Sequence, residues 1–137
     1  MNLSLFRHAF VLILLALISG LFVSSMAVPR LGLAAHTIGI LGGVLLIAIG
    51  AIWQHFHLSG RQYFWLQWSW LYSSYANWLG CLIGAILGTG QTTPVASAGF
   101  VGNAAAENLV GMTLGSVVLT SFIAVGLSLW GLRRHAV

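Results

Sequence analysis

Charge is almost missing from this 137-residue chain. Its charged residues come to 4%: five arginines and a lone acid, Glu107, with no lysine and no aspartate. A water-exposed surface takes about 25–35% charged side chains, so a soluble enzyme is excluded. A disordered tail is excluded too, because disorder goes with low hydrophobicity and this chain is 59% hydrophobic. A single cysteine, Cys81, rules out a disulfide framework. Two prolines, Pro29 and Pro94, leave long apolar runs unbroken. A polytopic membrane protein is what remains.

The net charge of +4 and the pI of 10.3 raise the question of nucleic acid. Arg7, Arg30, Arg61, Arg133 and Arg134 are scattered, however, and form no basic run interleaved with aromatics. No nucleic-acid partner is expected, and the arginines read instead as topology signals.

Four apolar stretches reach the roughly 20 residues needed to cross the hydrocarbon core. They run over residues 9–27, 31–53, 65–87 and 108–132 of one domain covering 1–137. None alternates as a barrel strand does, so the expectation is an all-α, integral-membrane four-helix bundle. Arg7, the apolar run and Ser25-Met26-Ala27 look like a signal peptide with its cleavage site. The run exceeds the usual 7–15 or so residues, and the segment is kept as a helix. With both termini cytoplasmic, Arg7, Arg61, Arg133 and Arg134 lie inside and Arg30 outside, as the positive-inside rule favours. The expected localisation is the bacterial inner membrane, as a multi-pass protein in contact with the lipid bilayer. Residues 54–64 form the inner loop and 88–103 the longer outer loop. Trp53, Tyr63, Trp65, Trp68 and Trp130 fall near the inner boundary, as an aromatic belt does. Gly39/Gly43, Gly80/Gly84/Gly88 and Gly111/Gly115 supply small-xxx-small faces for tight helix packing or for a flat cofactor.

Polar residues at membrane depth are costly, and so are informative. His36 lies inside the second span. It is either an interfacial histidine bonded to a carbonyl, or a metal or haem ligand or acid/base. Asn77, near the middle of the third span, must face the bundle or a partner, to join helices or to serve a site. Tyr72 and Tyr75 are candidates to line the same cavity. Glu107 opens the fourth span, as a helix cap or as a catalytic acid. Antiparallel helices would bring His36, Asn77 and Glu107 into the outer half of the bundle, beneath residues 88–94 as a lid. His8, His55, His57 and His135 read as solvated or headgroup-facing, and Cys81 as a small buried hydrophobe.

At these residues the chain resembles the hydroxylaminobenzene mutases. The segments concerned are Ala35-His36, Tyr75-Ala76-Asn77-Trp78-Leu79 and Gly88-Thr89-Gly90-Gln91-Thr92-Thr93-Pro94. More distantly it is similar to styrene oxide isomerase, also four-helical. That isomerase holds haem b between subunits of a trimer, on a histidine early in the second helix. The resemblance implies haem b here with His36 as cofactor and metal ligand, and a homo-oligomer, by analogy a trimer. Asn77 matches an asparagine of the isomerase's third helix. Gly42-Gly43 and Cys81 stand where the isomerase has a second asparagine and a tyrosine, which counts against epoxide isomerisation.

The expected activity is that of an isomerase converting a small aromatic hydroxylamine to an ortho-aminophenol by intramolecular hydroxyl transfer. Asn77, Tyr75 and Glu107 are the expected catalytic residues, with His36 on the cofactor. The alternatives are a haem-bearing membrane subunit or anchor without catalysis, an epoxide isomerase, and, less well supported, a small transporter.

Overall fold

The computed structural model describes residues 1–133, and its regular structure is entirely helical. Arg134 and His135, assigned above to the inner end, lie outside the described residues. Four helices follow one another: α1 (Leu3–Leu21), α2 (Pro29–Ala51), α3 (Gly60–Leu87) and α4 (Ala104–Leu132), with short 3-10 turns at Val23–Ser25 and Trp53–His55.

Local chemistry sets the helix ends. The Asn2 side chain accepts the Ser4 and Leu5 amides at 3.1 and 3.3 Å, so α1 starts six residues before the expected span. It also stops earlier, at Leu21. Pro29 opens α2 at a position where its missing N–H has no cost. A reciprocal capping box of Ser59 and Gln62 starts α3, and Gly88, at φ 72°, ends it in the left-handed conformation. Asn103 caps α4 by accepting the Ala106 amide at 2.8 Å.

By length and apolar composition, α1, α2 and α4 are each able to cross a membrane. With 28 residues, α3 is long enough but more polar, because it carries Gln62, Gln67, Ser69, Ser73, Ser74 and Asn77.

Packing is sequential. α1 lies on α2, α2 on α3 and α3 on α4, while α4 has no extensive contact with α1 or α2. The bundle is therefore open along the side between α2 and α4. Glycines draw the first seam tight. A Cβ on Gly39 would fall 2.5 Å from the Ala16 Cβ, and one on Gly43 would fall 2.8 Å from the Ala9 carbonyl oxygen. At Gly80 it would meet Leu114 at 2.8 Å. The expectation of tight packing fails for Gly111 and Gly115. A Cβ on Gly115 would meet nothing within 4 Å, and one on Gly111 only the Thr92 hydroxyl. Both face the open side rather than another helix of the chain.

The buried apolar core divides into two clusters. The larger holds Leu5, Leu12, Leu46, Leu66 and Trp70, and the smaller holds Val28, Leu31, Ala35, Cys81 and Ala85. Hydrogen bonds from Asn2 N–H to the Gly50 carbonyl (2.9 Å) and from His57 N–H to the Gly131 carbonyl (2.8 Å) gather one end of the molecule. Arg7, Arg61 and Arg133 lie toward that end, and Arg30 toward the opposite one, where Val28 N–H donates to the Ala85 carbonyl. Trp53 and Tyr63 pack with ring centroids 5.4 Å apart, and the Tyr63 hydroxyl donates to the Phe56 carbonyl. Trp65, Trp68 and Trp130 are exposed nearby, and the Arg133 guanidinium lies 3.6 Å from the centre of the Trp130 ring.

Candidate functional site

His36, two turns into α2, turns toward α1. Its Nδ1 lies 2.8 Å from the Ala16 carbonyl oxygen. A carbonyl can only accept, so Nδ1 is the donor in this contact. Nε2 has no hydrogen-bond partner among the described residues. The same carbonyl accepts the Ser19 hydroxyl at 2.9 Å, and the Ser19 Oγ in turn accepts the Trp78 indole N–H at 3.4 Å. A polar chain thus crosses α3, α1 and α2, and ends on the imidazole.

Asn77 faces elsewhere. It borders a groove of about 250 Å³ with Ile38, Leu41, Gly42, Ser74 and Ser121, and a second of about 580 Å³ with Cys81, Thr92, Thr93, Gly111 and Phe122. Both lie on the open side between α2 and α4, and Ser121 borders both as well. The Asn77 amide has no hydrogen-bond partner among the described residues. Its donors and acceptor are therefore available to whatever enters the groove. His36 borders neither groove. His36 and Asn77 of one chain therefore do not share a groove.

Tyr72 and Tyr75 do not join Asn77 either. Residues two apart on a helix project about 200° apart, which carries Tyr75 to the groove that it shares with His8, Trp68 and Tyr72. Its hydroxyl donates to the His8 carbonyl at 2.9 Å, while Tyr72 meets the Ser116 hydroxyl at 2.7 Å. His8 stacks edge-on against Tyr75 instead of standing free. His55 and His57 are exposed near the arginine-rich end, as expected.

Glu107 is buried, and its carboxylate accepts three backbone N–H groups: Gly90 at 2.8 Å, Gly102 at 2.9 Å and Gln91 at 3.1 Å. A carboxylate is acceptor-only, which suits three converging donors. It clasps both ends of the loop over residues 88–103 to the first turn of α4. A Cβ on Gly90 would lie 2.0 Å from the Phe100 carbonyl oxygen, so the loop closes on itself only with glycine there. The clasped loop sets Thr92 and Thr93 beside Asn77. The Thr89 hydroxyl, beneath the loop, is buried without a partner among the described residues. Cys81 is buried and edges the larger groove.

Sequence reasoning did not single out Thr92 on its own account, nor Ser121 or Gly20. Thr92 lay within a recognised motif. Gly20 carries a readable signal, since Ala16 and Gly20 form a further small-xxx-small pair. Nothing in the sequence marks Ser121. Among the described residues no three His, Cys, Asp or Glu side chains gather to hold a bare metal ion.

Comparison with known proteins supplies the family. A family model of styrene oxide isomerase matches residues 1–133. The chain is 38% identical over 124 residues to hydroxylaminobenzene mutase HabB of Ectopseudomonas oleovorans, covering 89% of this chain and 75% of that protein. It is 34% identical over 131 residues to hydroxylaminobenzene mutase HabA of the same organism, covering 95% and 97%. No solved structure matches it. Since the family match takes in every described residue, the chain belongs to the styrene oxide isomerase family and is an isomerase.

Proposed function

We propose that this isomerase rearranges arylhydroxylamines such as hydroxylaminobenzene to 2-aminophenols. The substrate class follows the names of the two relatives, which align with nearly the whole chain. The observation that carries the reading onto this molecule is the unpartnered Asn77 amide in an otherwise mostly apolar groove on the open side. An aromatic ring fits the apolar walls, and a hydroxylamine head offers both a donor and an acceptor to the amide.

The reaction is redox-neutral within one molecule. The N–O bond breaks, a C–O bond forms at the ortho carbon, that carbon loses its proton, and the nitrogen gains one. Nitrogen is reduced and carbon oxidised by the same two electrons, so no nicotinamide is required. Asn77 holds the nitrogen end, and the Thr92 hydroxyl stands at the mouth of the same groove. Mostly apolar groove walls exclude water that would otherwise trap the electron-poor ring.

Haem b is the cofactor of this proposal, with His36 as its ligand. Among the described residues no group of three His, Cys, Asp or Glu side chains forms around His36, which suits a metal already held by its own macrocycle better than a bare ion. Donating Nδ1–H to a carbonyl is the usual way a ligating histidine is oriented, with Nε2 left to bind. When bound, ferric haem supplies a Lewis acid at the hydroxylamine oxygen. His36 sits in the seam with α1, whereas Asn77 opens between α2 and α4, so a complete site takes residues from two copies. A homo-oligomer, by family resemblance a trimer, meets that need. We place the chain in the bacterial inner membrane as four spans, the arginine-rich end cytoplasmic.

Purified protein incubated with hydroxylaminobenzene alone tests the reading. Formation of 2-aminophenol without any partner protein is the expected result. Inertness of folded, haem-replete protein would favour a non-catalytic subunit. Turnover of styrene oxide but not of hydroxylaminobenzene would move the substrate to epoxides.

A further inference from the structure

In the last turn of α1 the His36 imidazole fills the space that a side chain on residue 20 would take. A Cβ on Gly20 would lie 2.4 Å from the His36 Nδ1 and 2.8 Å from its Cε1, and its three nearest neighbours are all atoms of that imidazole. One turn earlier, the Ala16 carbonyl meets the same Nδ1 at 2.8 Å. We infer that Gly20 and the Ala16 carbonyl form a seat on α1 that fixes His36 as the Nδ1–H tautomer, with Nε2 as its electron-pair donor. Free imidazole populates both tautomers. Here one nitrogen is held against an acceptor that cannot donate, and the ring reaches it only because position 20 has no side chain. The Ala16 carbonyl is itself held by the Ser19 hydroxyl and, through it, by the Trp78 indole N–H. The seat therefore joins all three helices that surround it. Gly20 touches neither substrate nor cofactor and is a positioning residue.

The inference deepens the haem proposal above, yet the tautomer belongs to the chain itself and is measurable without haem. The experiment is histidine ring ¹⁵N NMR on the full-length chain in detergent, with His36 assigned by its loss in His36→Ala. The expected spectrum shows a protonated Nδ1 and an unprotonated Nε2. Gly20→Ala is expected to bring His36 to a mixture of tautomers and to weaken haem binding about 10-fold. Gly126→Ala, where a Cβ meets nothing within 4 Å, leaves both unchanged. Should Gly20→Ala lower Tm too far for spectra, the double variant with His36→Ala is expected to restore it, because the three nearest atoms to the added methyl group all belong to that ring. A wild-type spectrum with Nε2 protonated would overturn the seat. So would Gly20→Ala with unaltered ring signals, or a Tm loss that persists without His36. Intact tautomer signals in a chain that takes up no haem would sink the haem proposal and leave the seat standing.

Discussion

The two sides of α2 are built on opposite plans. Toward α1 it is sealed: Gly39 and Gly43 let backbones approach, and the polar His36 spends one nitrogen on a neighbouring carbonyl. Toward α4 it is open: Asn77 has no hydrogen-bond partner among the described residues, and Gly111 and Gly115 line a groove instead of a helix contact. Small residues occur on both sides, so glycine spacing alone does not say whether two helices meet. What separates them is how the polar group is used. A half-satisfied imidazole in a tight seam has a fixed direction, as a ligand must. An unsatisfied amide in a groove remains free to bind something that comes and goes.

That contrast can be broken experimentally, and His36 offers the largest effect. His36→Ala is expected to remove the haem Soret band and to reduce turnover to background, while His55→Ala and His57→Ala retain both; absorbance and product assays check this together. Retained haem in His36→Ala would end its assignment as ligand.

On the open side, Asn77→Leu keeps the volume and deletes the amide. A fall of about 100-fold in kcat/KM is expected, the cost of losing one well-placed hydrogen-bonding group in a water-poor site. Unchanged turnover in folded protein would make the residue dispensable.

Glu107→Gln tests the loop above the groove. The amide replaces one acceptor oxygen with a donor facing a backbone N–H. The expected loss is about 1–3 kcal/mol, read as a lower Tm and faster proteolysis within residues 88–103. A fully stable variant would show that the clasp does not hold the loop.

The smallest effects compare the two seams directly. Gly43→Ala forces a methyl group against Ile13 and the Ala9 carbonyl, and is expected to cost about 1–3 kcal/mol by overpacking. Gly115→Ala meets nothing within 4 Å among the described residues, and is expected to leave stability unchanged or raised by up to about 1 kcal/mol. Equal losses in thermal melts would erase the distinction between the two sides.

Much of the scaffold was legible in the sequence. Four helices follow from four apolar runs, and Pro29, Ser59 with Gln62, and Gly88 mark ends by chemistry that acts within a few residues. The greater polarity of α3, from its serines and glutamines, was not read from the sequence, where only Asn77 stood out in an apolar run. The site was legible in its parts but not in its assembly. His36, Asn77 and Glu107 were each marked by the cost of a polar group among apolar neighbours. The partners of His36 and Glu107 were hidden because they are backbone groups, which no residue type marks: the Ala16 carbonyl for His36, and the Gly90, Gln91 and Gly102 amides for Glu107. Helix rotation decided the rest, sending Tyr75 to His8 and Asn77 to the open groove. Gly20 escaped notice because its meaning depends on one imidazole on another helix.

The most direct test of the central claim follows the oxygen. Hydroxylaminobenzene labelled with ¹⁸O at its hydroxyl is turned over by the purified protein in unlabelled water, and the 2-aminophenol is analysed by mass spectrometry. The account predicts that the product retains the label, because the hydroxyl moves within one molecule. Product carrying solvent oxygen, or no product from folded, haem-replete protein, would contradict it.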